Sequence, residues 1–171
     1  NHRHRPIERA AKHSKIFAMI SIVLPTFNEA LNIPVIVPKI AAVLQPLGRP
    51  WEIIVVDDNS PDDTAGCAEK LQSEFPVRVI KRTSEKGLAS AVIAGFAAAK
   101  GTICIVMDAD MSHPVEKLPE MIRPIEQDRC DITVGSRYVD GGESANWPII
   151  RQFISRASGL LAMGLTRLSD P

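Results

Sequence analysis

Residues 52–64, EIIVVDDNSPDDT, run an apolar stretch into an acidic turn and then into a helix start. Ile53, Ile54, Val55 and Val56 are β-branched, which suits a strand covered on both faces, as in a parallel sheet. After the two acids, Ser60 can cap a helix, Pro61 takes its first position, and Asp63 stands three residues after the cap as in a capping box. The stretch therefore predicts a strand over 52–57, a tight turn, and a helix over 61–74.

The same unit recurs along the chain. Strands are expected at 19–24, 77–81, 102–108 and 131–135. Helical patterns lie between them at 33–46, with a kink at Pro38, and at 88–99, where LASAVIAGFAAA is small enough to press closely on a sheet. A last helix is expected after Asn146, with Pro148 in its first turn, running towards Leu168. Alternating strands and helices predict an α/β fold with a doubly wound, mostly parallel sheet.

At 171 residues the chain suits one domain that buries roughly two-thirds of its unfolded surface. Its 20 basic and 20 acidic residues cancel, so no global field favours nucleic acid. Residues 1–18 form a basic arm in which Arg3, Arg5, Arg9, Lys12 and Lys15 face one acid, Glu8. It reads either as a disordered, solvated arm or as a segment drawn to anionic lipid headgroups. Residues 19–171 form the domain proper. Cys67, Cys104 and Cys130 are far apart and odd in number, which suits reduced core thiols in a cytosolic compartment. The apolar run IFAMISIVLP, residues 16–25, is too short to span a bilayer.

In doubly wound sheets ligands bind beyond the carboxyl ends of the strands. Three polar clusters fall there: PTFNE at 25–29, DDNSPDD at 57–63 and DADMSH at 108–113. Singly, Asn28 and Glu29 can simply turn the chain, and Asp58, Asn59 and Ser60 can simply begin a helix. Together they gather acidic groups on one rim. Alternation along an extended chain puts Asp108 and Asp110 on the same side, where two like charges repel unless a cation joins them. Carboxylate oxygens at that spacing suit Mg²⁺ or Mn²⁺ bridging to a diphosphate. His113 reads as a further ligand or, preferably, as a loop residue ahead of a helix start at Pro114.

The blocks IVLPTFNEALNI, EIIVVDDNSPDDT, KGLASAVIAGFAAAKG, VMDADMSHP, DITVGSRYVDGG and NWPIIRQFISRASGLLA, in that order over residues 19–171, resemble dolichol-phosphate mannose synthase and its bacterial polyprenyl-phosphate relatives, within the family 2 glycosyltransferases. The resemblance implies the A-type glycosyltransferase (Rossmann-like) fold and inverting transfer of mannose from GDP-mannose to a polyprenyl (dolichyl-type) phosphate, with Mg²⁺ or Mn²⁺ as cofactor. It implies peripheral contact with the membrane at its cytoplasmic face. It places Pro25, Phe27, Glu29, Val56, Asp58, Met107, Asp108 and Ala109 at the nucleotide, and Asp108, Asp110 and Ser112 at the metal. Relatives often have Tyr where Phe27 stands, so one hydrogen bond is lost there; Ser112 is shorter than the Gln of many relatives and would reach a metal only through water. Asp110, Arg137, Arg151 and Ser155 are the implied catalytic residues, the two arginines holding the acceptor phosphate through their planar fork of donors. Relatives continue beyond the SDP at 169–171, which marks the domain as C-terminally incomplete.

Three other readings remain at this level. A relative can use UDP-glucose or another nucleotide sugar with the same lipid phosphate. IIVVDDNSPDD followed by IVMDADM also resembles the acidic pocket of a phosphoacceptor receiver domain, although PTFNE and the Arg-bearing helix then have no purpose. A domain that binds nucleotide sugar without catalysis is the third.

Overall fold

The computed structural model describes residues 18–84 and 86–136 of the chain. It divides into two compact units, residues 1–131 and 132–171. In the first, four strands, β1 (Ile20–Thr26), β2 (Trp51–Asp57), β3 (Val77–Lys81) and β4 (Ile103–Val106), alternate with helices α1 (Ile33–Leu44), α2 (Thr64–Lys70), α3 (Leu88–Ala98) and α4 (Leu118–Glu126). All pairings are parallel, in the order β3-β2-β1-β4. The register sets Thr26 beside Asp57 and Val23 beside Val106. This is the doubly wound sheet expected from the sequence. A receiver domain of the flavodoxin-like kind has the order 2-1-3-4-5, with β3 beside β1. Here β4 occupies that place, so the receiver reading falls.

Each face of the sheet has its own core. On one side Ile20, Ile22 and Leu24 of β1 and Ile53 and Val55 of β2 pack with Ile33, Ile36, Val37, Ile40 and Leu44 of α1, Ala68 of α2, and Leu118 and Ile122 of α4. On the other, Val23, Ile54 and Val56 meet Ala91 of α3. Fully burying an Ile or Val stabilises by roughly 1.5–3 kcal/mol, so this alternation fixes which strand residues face which layer. The approach of α3 is very close: a Cβ on Gly95 would lie 2.3 Å from Val23 Cγ1. Helix α1 continues through Pro38, held by its buried side.

Three expectations are corrected. Helix α2 begins at Thr64 rather than Pro61, because Ser60 does not cap it. The Ser60 hydroxyl donates to Asp57 Oδ1 at 2.5 Å, and Asp63, the residue before the helix, sits at φ 63° with no side-chain cap. Among the described residues strand β4 is covered on one side only, since α3 packs over β1 and β2; Cys104, expected in the core, and Val106 are exposed. In the second unit, residues 132–136 form no strand, against the expectation for 131–135. Residues 1–17 of the basic arm and the helix expected from Asn146 lie outside the described residues, among which no helix is long and apolar enough to cross a membrane.

At the amino ends of the strands a buried carboxylate ties the sheet together. Glu52 Oε1 accepts the Ser21 hydroxyl and the Lys100 N–H, both at 2.7 Å, and Oε2 accepts Arg78 Nε at 2.9 Å. Burial pushes its pKa up, but the bonds from Ser21, Lys100 and Arg78 outweigh burial and hold it below the ordinary glutamate value. This end is remote from the carboxyl rim.

Candidate active site

From β1 the chain winds outward through β2 and β3, then returns to the other side of β1 as β4. Loops leaving β1 and β4 therefore diverge, and a crevice opens between them at the topological switch point. Every polar cluster singled out in the sequence leaves the sheet at this carboxyl rim.

A cleft of about 340 Å³ lies at this rim between the ends of β1 and β2 and the start of α3, lined by Pro25, Thr26, Phe27, Asp58, Lys86, Gly87, Leu88 and Ala91. Its size is at the lower end of the roughly 300–1,000 Å³ range of small-molecule sites. Phe27 is 52% exposed, and Lys86 Nζ stands 5.6 Å from its ring centroid. Another part of the lining is fixed by a buried ion pair. Asp58 Oδ1 faces Arg82 Nε at 3.3 Å, Asp58 Oδ2 accepts the Gly87 N–H at 2.7 Å, and Arg82 Nη2 donates to Ser90 Oγ at 2.7 Å. Gly87 lies at φ 123°, a region that disfavours any side chain, so this turn can bring its N–H to Asp58 only as glycine.

Beyond β4 the alternation continues: Met107 and Ala109 point into the core, while Asp108 and Asp110 are exposed. Extending the register, Asp108 stands level with Pro25 of β1. The Asp108 N–H donates to His113 Nδ1 at 3.2 Å, and His113 Nε2 lies 3.8 Å from Asp108 Oδ2. That geometry makes His113 a brace of the loop, as preferred from the sequence. Asp110 Oδ1 accepts the N–H of Ser112 at 2.9 Å around Met111, whose φ of 62° is unusual for an unbranched apolar residue. Paired exposed carboxylates offer hard oxygens to a divalent cation. Among the described residues no cluster of three His, Cys, Asp or Glu side chains surrounds an ion. Two carboxylates alone do not enclose an ion; Mg²⁺ or Mn²⁺ held by such a pair keeps waters and takes further oxygens from a substrate's phosphates.

Of the residues expected at the nucleotide, Pro25, Phe27 and Asp58 line the cleft. Glu29 does not; its carboxylate accepts Asn32 Nδ2 at 2.6 Å at the start of α1. The side chains of Val56, Met107 and Ala109 are buried, Val56 against α3 and the other two in the α1 and α4 core, so these residues can meet a ligand only through their backbone or support the site from behind. Ser112 is exposed beside Asp110. Arg137, Arg151 and Ser155 lie outside the described residues. The sequence reading missed Arg82, Lys86 and Gly87. Lys81 and Arg82 end β3 on the same rim as the other clusters, and that position was the available signal.

The sequence pattern described as glycosyl transferase family 2 matches residues 21–169, which takes in both the cleft and the carboxylate pair. The chain belongs to this family. Among relatives of family 2, the chain is 46% identical over 156 residues to a dolichol-phosphate mannosyltransferase of Pyrococcus furiosus, covering 89% of this chain and 44% of that protein. It is 38% identical over 154 residues to the Saccharomyces cerevisiae dolichol-phosphate mannosyltransferase, covering 88% and 57%. The chain thus spans about half the length of the curated relatives it matches. A glucosyl-3-phosphoglycerate synthase of Mycobacterium tuberculosis, solved with Mn²⁺, UDP and glucosyl-3-phosphoglycerate, superposes with a TM-score of 0.54 at 27% identity, over 65% of this chain and 40% of that one. The fold is that of the A-type glycosyltransferases.

Proposed function

We propose that this chain carries the donor site of an inverting enzyme that moves mannose from GDP-mannose to a polyprenyl phosphate of the dolichyl type. The observation that carries the reading is the exposed pair Asp108 and Asp110, set level with the β1 cleft in a chain 46% identical to a dolichol-phosphate mannosyltransferase. Phe27 offers an apolar face to the nucleoside, and Asp58 holds Gly87 in place in the lining. Asp108 and Asp110 would hold Mg²⁺ or Mn²⁺, Ser112 acting only through water; when bound, the ion neutralises the donor's diphosphate and eases its departure. Mn²⁺ in the M. tuberculosis structure supports that choice.

The acceptor needs little activation. A phosphate monoester has a second pKa of about 6, so it is largely dianionic and nucleophilic at neutral pH. Cations must instead offset its repulsion from the donor, and Arg137 and Arg151, with Ser155 one helical turn beyond, are assigned that task by resemblance. A lipid phosphate acceptor would put the reaction at a membrane surface, and the resemblance assigns it to the cytoplasmic face.

Calorimetric titration with GDP, UDP, GDP-mannose and UDP-glucose, each with and without Mn²⁺, tests the reading. GDP and GDP-mannose should bind, and Mn²⁺ should tighten both. Preference for UDP-glucose would transfer the assignment to a glucosyl donor, and failure of all four to bind would overturn it.

A further inference from the structure

Three consecutive backbone donors of the loop after β1 are held by side chains of the turn after β2. The Asn28 N–H donates to Ser60 Oγ at 3.0 Å, the Glu29 N–H to Thr64 Oγ1 at 2.8 Å, and the Ala30 N–H to Asp62 Oδ2 at 3.0 Å. The acceptors are themselves anchored. Thr64 is fully buried and its hydroxyl donates to Asp62 Oδ1 at 2.5 Å, while the Ser60 hydroxyl donates to Asp57 Oδ1. Asn28 sits at φ 62°, a conformation that costs free energy and that these bonds offset.

In many sheets of this topology the N–H groups of the first loop, at the start of the next helix, cradle a ligand's phosphates. Here these three are already bonded within the protein, so the loop serves the cleft through the side chain it presents, Phe27, and through its shape. We propose that Ser60, Asp62 and Thr64 are positioning residues, which clamp residues 28–30 and thereby set Phe27 against the bound nucleotide. The proposal rests on the cleft being a nucleotide site.

Thr64→Val removes the hydroxyl at nearly constant volume, and Thr64→Ser keeps it. GDP with Mn²⁺ is titrated calorimetrically into the whole chain and both variants, well below their melting temperatures, so that affinity and stoichiometry are read separately. A positioning role raises Kd about three- to tenfold in Thr64→Val, as expected for one lost hydrogen bond, with the parent's stoichiometry. Thr64→Ser should stay within about twofold of the parent. A purely structural role lowers the stoichiometry and leaves Kd alone, and that result overturns the proposal, as does a serine variant as weak as the valine one. If Thr64→Val does not fold, Ser60→Ala provides the same comparison. GDP failing to bind the parent would remove the nucleotide reading and the clamp with it, whereas equal binding by parent and variants removes the clamp alone.

Discussion

Asp110 makes one bond within its loop and has the metal-holding role proposed above, and one substitution separates the two. Its Oδ1 accepts the Ser112 N–H, a bond that an asparagine oxygen retains, while its charge is what a divalent cation requires. Asp110→Asn should therefore weaken Mn²⁺-dependent GDP binding by about tenfold or more and change unfolding free energy by less than ~1 kcal/mol. Titration and denaturant unfolding on the same preparation check both halves, and equal Mn²⁺-dependent affinity in variant and parent sinks the metal assignment. Residue types at this scale were well marked in the sequence, because two acids at alternate positions after a β-branched run have few structural uses. Side-chain direction was legible for Asp108 and Asp110 from the same alternation. The same alternation sends Met107 and Ala109 inward.

Among the elements, α3 packs against β1 at a position where a side chain is missing. Gly95 faces Val23 across a gap that admits no Cβ. Gly95→Ala gains up to ~1 kcal/mol of helix propensity but meets an overpacking cost of typically ~1–3 kcal/mol. The expected outcome is a net loss of stability and a lower melting temperature, with Val23→Ala restoring part of it by opening the same space. An unchanged or raised melting temperature in Gly95→Ala would mean that α3 stands further from β1. The small-residue run over 88–99 announced this close approach. The start of α2 was not legible in the same way: Ser60, Pro61 and Asp63 satisfy the pattern of a helix cap, yet Ser60 bonds Asp57 and the loop after β1 instead. Capping and tertiary bonding use the same hydroxyl, and local sequence does not say which wins.

For the whole molecule, Glu52 links separate parts of the chain, joining β1, β3 and the turn before β4. Its folded pKa lies below the ordinary value of 4.5, so its ionised form stabilises the fold above that pH, and the contribution fades as pH falls through the lowered folded value. Glu52→Gln should be less stable than the parent at pH 7 by roughly 1–3 kcal/mol, and the gap should narrow on acidification below about 4.5. Thermal unfolding of both proteins from pH 7 to 3 measures it; a gap independent of pH would show that charge at Glu52 carries none of the stability.

The α/β class, the places of β1, β2 and β3, and the acidic rim were legible along the chain, because β-branched runs, turn residues and helix periodicity are local properties. Only the tertiary structure decided the order β3-β2-β1-β4, which excludes a receiver domain and makes the crevice between β1 and β4. It also paired Arg82 with Asp58 across the strand ends and turned Ser60, Asp62 and Thr64 towards the loop after β1. Those partners stand 24 to 35 positions apart in sequence. Contacts of that span follow from strand pairing, which spacing and composition do not encode.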